Sequence, residues 1–186
     1  MEVRTIMGAS KRFTVAEIES QEEHIELING EKIIEDKTSS EHNAVVNEIV
    51  FALKSHIKAN GGSCRVFSEN VALYVNELCD DDGMFFLPDV MVVCEPEAVD
   101  SKGVHKAPLF VVEVTSEATK KNDYNTKLET YKKIGVQEYW IVDMQRKTVY
   151  KYLATEDYIP QTFMHPESMK VSVYKNLFID LSEFML

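Results

Sequence analysis

Apolar residues recur along this chain with two different periods, and the changes of period mark the predicted helices and strands. Between residues 38 and 61 they return every three or four positions, which predicts an amphipathic helix that ends at the glycine pair 61–62. A capping sequence predicts a short helix at residues 14–19. Helical spacing also covers residues 123–134, where Gly135 ends the pattern.

Alternating or short continuous apolar runs predict the strands, at residues 24–28, 31–34, 65–67, 71–75, 85–93, 109–115, 138–143, 148–153, 169–174 and 177–181. Asn29-Gly30 joins the first two as a hairpin, because both positions of a two-residue type I′ turn need a positive φ. In that register Glu26 lies opposite Ile33 and Ile28 opposite Glu31. Glu26 and Glu31 therefore share one face of the hairpin.

A helix of about a dozen residues separates the predicted strands at 109–115 and 138–143. Such a crossover joins parallel strands and is right-handed in nearly all sheets. We therefore predict an α/β (mixed α+β) fold with a central mixed sheet flanked by helices, an N-terminal hairpin and C-terminal edge strands. The length suits one domain, spanning residues 1–186.

Composition and charge narrow the class of protein. The net charge of −11 argues against a protein that coats nucleic acid non-specifically, because lysine and arginine drive phosphate binding. Residues 120–151 nevertheless hold eight basic residues against four acidic ones, so they form either a basic face or an ordinary solvated surface. No apolar run reaches the roughly 18 residues of a membrane span, and the N-terminus lacks a signal sequence. These features predict a cytoplasmic protein without a membrane partner.

The three cysteines, Cys64, Cys79 and Cys94, are odd in number and form no C-x-x-C pair. This pattern argues against a disulfide framework and against a zinc site. It predicts reduced thiols in a reducing compartment.

Two carboxylates interrupt otherwise apolar strands. Asp89 follows Pro88 in the run that ends at Val93, and Glu113 lies between Val112 and Val114. A buried ionised acid costs several kcal/mol unless it is paired, hydrogen-bonded or bound to a metal. If the two strands are neighbours, the acids can converge and attract a hard cation such as Mg²⁺ or Mn²⁺. Structural ion pairs with lysines are the alternative.

Lys127 lies on the apolar stripe of the helix predicted at residues 123–134. That stripe also contains Tyr124, Leu128, Tyr131 and Ile134. A lysine in such a stripe either extends to solvent or serves a site. Two carboxylates and a lysine suit metal-assisted phosphodiester hydrolysis, in which the acids hold the ion and the lysine assists the attacking water.

Several segments of the chain together match the sequence pattern of a known protein family. They are Pro88-Asp89, Val112 to Ser116, Asp123, Lys127, Tyr131 and the run Gly135 to Asp143 (GVQEYWIVD), together with Glu26 to Glu31 and Glu41-His42-Asn43. In this combination the chain resembles the Uma-two family of restriction-endonuclease-like proteins, within the PD-(D/E)XK nuclease superfamily. The resemblance spans about residues 12–182.

The resemblance implies a restriction-endonuclease-like core, a Mg²⁺-dependent (or Mn²⁺-dependent) endonuclease that acts on DNA, and often a homodimer. It assigns metal binding to Asp89 and Glu113, and catalysis to these two acids with Lys127. The superfamily lysine lies two residues after the second acid, where this chain has Thr115, so Lys127 on the helix is the matching residue. Glu31, His42 and Thr115 have supporting positions.

A second hypothesis is a nuclease-like scaffold without catalysis, acting in oligomerisation or partner binding. The missing strand lysine and the acidic net charge favour it. A Lys127 side chain that points to solvent would support this hypothesis, whereas convergence of Asp89, Glu113 and Lys127 would support the enzyme.

Overall fold

The structure is a computed structural model that describes residues 11–19, 21, 24–34, 38–116 and 119–185. Its strands are β1 (Ile25–Ile28), β2 (Glu31–Ile34), β3 (Arg65–Ser68), β4 (Ala72–Leu73), β5 (Val90–Val93), β6 (Gly103–Val104), β7 (Phe110–Thr115), β8 (Glu138–Asp143), β9 (Thr148–Leu153), β10 (Gln161–Met164), β11 (Ser168–Val171) and β12 (Leu177–Asp180). Its α-helices are α1 (Val15–Ile18), α2 (Ser40–Ala59), α3 (Val75–Cys79), α4 (Lys120–Asn122), α5 (Leu128–Ile134) and α6 (Ser182–Met185).

A six-stranded sheet in the order β10-β9-β8-β7-β5-β3 forms the centre of the fold. β7 and β8 are parallel, and the other neighbouring pairs are antiparallel. The predicted mixed sheet flanked by helices is therefore confirmed. β1 pairs with β2, β4 with β6, and β11 with β12, each as a separate two-stranded sheet.

The predicted hairpin register is confirmed. Glu26 pairs with Ile33 and Ile28 with Glu31. Asn29 and Gly30 have φ angles of 54° and 80°, the positive values that the two-residue turn requires. The hairpin also contacts the rest of the chain, because Leu27 and Phe85 exchange backbone hydrogen bonds.

The predicted helical crossover between parallel β7 and β8 is also confirmed, and it starts three residues earlier than expected. It runs through α4, a π-helical segment (Asp123–Lys127) and α5, and it ends at Gly135 with φ 90°. Glycine adopts this left-handed conformation without the steric cost of a Cβ atom.

Both faces of the central sheet are covered, which explains why its strands are apolar at successive positions rather than at alternate ones. Val90, Val112 and Trp140 pack beneath the buried face of α2. Met91 and Val111, which point the other way, pack against Tyr131 and its neighbours in the crossover helix. Glu113 alternates with Val112 and therefore belongs to the crossover-helix face.

The segment before β5 departs from the predicted long strand. Pro88 has no N–H to donate to a ladder, so regular pairing begins only at Val90. Phe85 and Phe86 make single bridges to Leu27 and Leu73 instead. The strand predicted at residues 71–75 is also shorter than expected, because β4 ends at Leu73 and α3 begins at Val75.

The C-terminal strands form, but they do not lie at the edge of the central sheet. β11 and β12 pair with each other, and this hairpin packs on α2. The edge strand next to β9 is β10, which is not among the predicted strands and lies between Pro160 and Pro166, residues that favour a loop. Tertiary pairing with β9 outweighs that local signal.

The expectation of reduced thiols is wrong for Cys64 and Cys94, which form a disulfide. Arg65 pairs with Val93 across β3 and β5, so the next positions along the two strands are Cys64 and Cys94. The spacing of the cysteines alone could not reveal this pairing. The cysteines therefore no longer support the predicted cytoplasmic location, which stays a prediction. Among the described residues, no helix has the length and apolar character needed to cross a membrane.

Reduction of this disulfide is expected to destabilise the protein. The two cysteines are 30 residues apart, and loop closure over that length contributes about 3.6 kcal/mol. Dithiothreitol should lower the free energy of unfolding of the wild type by about that amount in urea titrations. A Cys64→Ala/Cys94→Ala variant should not respond to the reductant, and an equal response of both proteins would contradict the pairing.

Candidate active site

The two strand acids lie at adjacent positions of the sheet. Val90 pairs with Val112 in the antiparallel ladder of β5 and β7, so Asp89 and Glu113, one residue further, are opposite each other on the same face. The backbone N–H of Val114 donates to Asp89 Oδ2 at 2.7 Å. The fold thus brings together the two carboxylates that the sequence singles out.

Lys127 points into this cluster and not to solvent. Its side chain is only 2% exposed, and its Nζ lies 2.9 Å from Glu26 Oε1 and 3.1 Å from Glu113 Oε1. Asp123 Oδ1 is 3.6 Å from the same nitrogen. Tyr131 adds a second donor, because its hydroxyl donates to Glu113 Oε1 at 2.6 Å.

The π-helical segment supplies two of these groups. Asp123 is its first residue and Lys127 its last, and both side chains are buried. Single π-helical turns within α-helices occur frequently at functional sites. Tyr139 on β8 donates its hydroxyl hydrogen to the Asp123 carbonyl at 3.1 Å and so ties the segment to the sheet.

Three carboxylates around one ammonium group leave excess negative charge in a buried place. Burial raises the pKa of Glu113 well above its usual range, although Lys127 acts in the opposite direction. Burial alone would lower the pKa of Lys127, but Glu113, Glu26 and Asp123 outweigh it and hold that pKa well above the usual value. Lys127 is therefore a fixed positive charge.

Asp123 is expected to make the protein less stable as the pH rises through the weakly acidic range. Burial raises its carboxyl pKa from 3.8 to about 6. Between these values the native state retains a proton that the unfolded chain has lost, so the free energy of unfolding falls as the pH rises, by up to about 3 kcal/mol. The Asp123→Asn variant has no carboxyl group at this position that could lose a proton. Between about pH 4 and pH 7 its free energy of unfolding, measured by urea titration, should therefore rise relative to that of the wild type by up to about 3 kcal/mol.

The control is Asp157→Asn, which removes an exposed carboxylate paired with Lys132. Its stability difference from the wild type should change little over the same pH range. A difference between Asp123→Asn and the wild type that stays constant with pH would contradict the raised pKa of Asp123.

A second group of ligand atoms lies on the other side of Asp89. His42 Nε2, in the first turn of α2, is 3.0 Å from Asp89 Oδ1 and 3.6 Å from Glu69 Oε1. Ligand atoms of these three residues all lie within 4.8 Å of one another. Glu69 Oε1 is buried and has no hydrogen-bond partner among the residues that the structure describes.

This group fits a divalent cation. Ligand atoms about 2.1 Å from an octahedral Mg²⁺ are about 3 to 4 Å apart, and the distances from His42 Nε2 to Asp89 and Glu69, 3.0 and 3.6 Å, fall in this range. The orphaned oxygen of Glu69 is the kind of buried acceptor that a cation would satisfy. Transition metals accept an imidazole ligand more readily than Mg²⁺ does, so the set suits Mn²⁺ as well.

The three residues to which the resemblance assigns supporting positions, Glu31, His42 and Thr115, lie at different distances from the acidic cluster. Glu31 is exposed on β2, opposite Ile28, and the structure does not bring it into the cluster. Glu26 on β1 reaches Lys127 instead. Thr115 is buried and donates its hydroxyl hydrogen to the Ser116 carbonyl at 3.2 Å. His42 reaches Asp89, as described above.

Sequence reasoning did not assign site roles to Glu26 and Glu69. Glu26 carried the same signal as Glu113, an acid inside an apolar run, and all four residues of β1 are buried. Glu69 carried no such signal, because it follows β3 in a turn and has φ 27°. Only the pairing of β3 with β5 places it beside Asp89.

The fold and this arrangement of acids and lysine define the restriction-endonuclease-like class. A family model described as "Putative restriction endonuclease" matches residues 11–181, so the chain belongs to the Uma2 family. The resemblance inferred from the sequence motifs is confirmed.

A solved structure with a similar fold is that of a "putative nuclease belonging to DUF820" from Anabaena variabilis ATCC 29413. Its TM-score is 0.71 at 19% sequence identity, and the match covers 94% of this chain and 99% of that chain. No curated protein sequence matched the chain.

Proposed function

We propose that the protein is a metal-dependent nuclease that hydrolyses phosphodiester bonds of DNA. Membership of the Uma2 family supports nuclease-like function in general. The observation that carries the specific proposal is the buried Lys127, with its Nζ 3.1 Å from Glu113, the acid opposite Asp89. A charged lysine buried against strand acids is costly to maintain, and such an arrangement is typical of a functional site.

In this proposal Asp89 and Glu113 hold Mg²⁺ or Mn²⁺, and His42 and Glu69 complete the surroundings of Asp89. A divalent ion bound there lowers the pKa of its water and offsets the charge that grows on the phosphate oxygens. Val114 N–H and His42 fix the Asp89 carboxylate from two sides, so its oxygens are oriented before any ligand arrives.

Lys127 performs the task that the superfamily gives to a strand lysine. Glu26, Glu113 and Asp123 hold its ammonium group in place. An ammonium group fixed in a buried site stabilises negative charge on a phosphate without further reorganisation. It also positions the Glu113 carboxylate, together with Tyr131. The Thr115 hydroxyl cannot supply this charge.

The direct test is incubation of the purified protein with plasmid and end-labelled oligonucleotide DNA in Mg²⁺, Mn²⁺ or EDTA. We expect cleavage with either ion and none in EDTA. Calorimetric titration with Mn²⁺ gives a second readout that does not depend on cleavage. An absence of both cleavage and saturable ion binding would contradict the proposal.

One observation favours the alternative, a scaffold without catalysis. Glu113 Oε1 already accepts hydrogen bonds from Lys127 and Tyr131, so the cluster has internal partners even without an ion. Ion binding without cleavage of any nucleic acid would support the scaffold. The homodimer and the single domain over residues 1–186 stay predictions, which sedimentation and limited proteolysis can test.

A further inference from the structure

A cleft of about 430 Å³ opens where the C-terminal half of α2 meets β3. Lys54 and Lys58 line it from α2, and Arg65 and Phe67 line it from β3. None of the residues that line it is acidic. Arg65 places its guanidinium carbon 5.0 Å from the centre of the Phe67 ring, an arrangement that holds the cation over an aromatic face.

The surrounding sequence lacks negative charge. Asp and Glu make up 31 of the 186 residues, or one in six, yet residues 49–68 contain neither. Glu95, which follows Cys94 beyond β5, is paired with Lys106 at 2.5 Å. In a chain with a net charge of −11, this stretch is an exception that needs an explanation.

The basic side chains of the cleft have no acidic partners. Lys54, Lys58 and Arg65 form no ion pair with any residue of the described ranges. Between residues 120 and 151, by contrast, carboxylates pair with five of the eight basic residues, Lys120, Lys127, Lys132, Arg146 and Lys151. Backbone carbonyls accept hydrogen bonds from Lys133 and Lys147. Three basic side chains without a carboxylate partner among the described residues thus line one cleft, within a stretch of sequence that contains no acidic residue.

β3 connects the cleft to the candidate active site. Ser68 pairs with Val90, and the next residue, Glu69, donates its backbone N–H to the Asp89 carbonyl at 3.1 Å. Arg65 and Phe67 pair with Val93 and Met91 and so share the sheet face of Glu113. Glu69 is four positions after Arg65, which is a distance of about 13 Å along an extended strand.

We propose that this cleft binds the phosphate backbone of the nucleic-acid substrate, to one side of the reacting phosphate. This inference rests on the proposed nuclease function. The separation of about 13 Å between Arg65 and Glu69 is long enough for the cleft to contact a phosphate other than the reacting one. Lysines bind phosphate as point charges, whereas arginine can make two parallel hydrogen bonds to it. Such contacts position the substrate without reading its sequence.

Binding can be measured without cleavage. A fluorescein-labelled DNA duplex of roughly two helical turns is titrated with full-length protein in EDTA, and anisotropy is recorded at several NaCl concentrations. Lys54→Gln/Lys58→Gln is compared with Lys170→Gln/Lys175→Gln. The control pair removes the same charge from exposed residues of β11 and the turn after it.

The cleft variant is expected to bind about tenfold more weakly at low salt, and its slope of log K against log[NaCl] should be shallower by about 2. The control variant should bind like the wild type. Equal binding of the two variants, or no binding of the duplex by the wild type, would overturn the proposal. Thermal unfolding checks that both variants are folded.

The experiments distinguish failure of the cleft proposal from failure of the nuclease proposal. If the protein cleaves DNA but the cleft variant binds and cleaves like the control, the cleft proposal is wrong and the nuclease proposal stands. If no cleavage occurs with any ion but the cleft variant loses affinity, the nuclease proposal falls, and the cleft is a nucleic-acid-binding surface of a protein without catalysis.

Discussion

Asp89→Asn is expected to slow DNA cleavage about a thousandfold. The amide keeps the shape of the side chain and one oxygen, so the hydrogen bond from Val114 can persist. It removes the negative charge that the proposed metal site requires, because hard cations prefer carboxylate oxygens. The measurement is the single-turnover cleavage rate in Mn²⁺, with calorimetry to record the expected loss of Mn²⁺ binding.

Asp82→Asn is the matched control, since it changes an exposed aspartate in the loop before Pro88 and should leave both quantities unchanged. Asp89 accepts hydrogen bonds in the folded protein, so urea titration must accompany the assay. A folded Asp89→Asn protein that still cleaves at the wild-type rate would show that the ion, if one binds, is held elsewhere.

The Lys127→Met substitution is expected to lower both the free energy of unfolding and the rate of DNA cleavage. Methionine matches the apolar stem of lysine but leaves Glu26, Glu113 and Asp123 without their shared positive charge. Removing one partner of a buried ionic group costs about 3 to 5 kcal/mol. We expect that loss in urea titrations at neutral pH. The loss should be smaller in mild acid, where the carboxyl groups can take up protons.

Lys132→Met is the control on the same helix. Its ammonium group pairs at the surface with Asp157, and exposed pairs contribute less than about 1 kcal/mol. If Lys127→Met is as stable as Lys132→Met, and if the difference in their free energies of unfolding does not change with pH, the expectation is contradicted. Glu26, Glu113 and Asp123 would then be neutral in the absence of the lysine.

Adding Thr115→Lys to Lys127→Met tests the displaced lysine directly. Thr115 lies two residues after Glu113 and therefore on the same face of β7. A lysine there would restore a positive charge beside the strand acids from the sheet itself. Partial recovery of the cleavage rate is expected, and unchanged activity would argue that Lys127 is needed mainly to hold the fold.

Local signals explain which elements could be predicted. The hairpin register follows from Asn29-Gly30, and α2 follows from apolar spacing between a Ser39 cap and a glycine pair. The crossover from β7 to β8 follows from the order strand, helix, strand. Each of these features depends on neighbours in sequence, so periodicity and turn chemistry suffice.

The features that escaped prediction depend on pairing between distant segments. Glu69 and the partner cysteines are brought into place only by the ladder of β3 and β5. Hairpin register put Glu26 and Glu31 on one face but could not say which of them lies over Lys127. That choice depends on how the hairpin packs on Phe85 and Leu87, and Leu87 donates its N–H to Glu26.

The π-helical segment Asp123–Lys127 restricts how this chain can change in length. A residue in an α-helix turns the chain by about 100°, so one residue gained or lost between Asp123 and Lys127 would rotate these two side chains relative to each other. Asp123 must keep its carboxylate 3.6 Å from the Lys127 ammonium group while its backbone carbonyl accepts the hydrogen bond from Tyr139. Exposed Asn125 can thus be exchanged for other residues, but it cannot be deleted. Over evolution this crossover should tolerate substitutions far better than insertions or deletions.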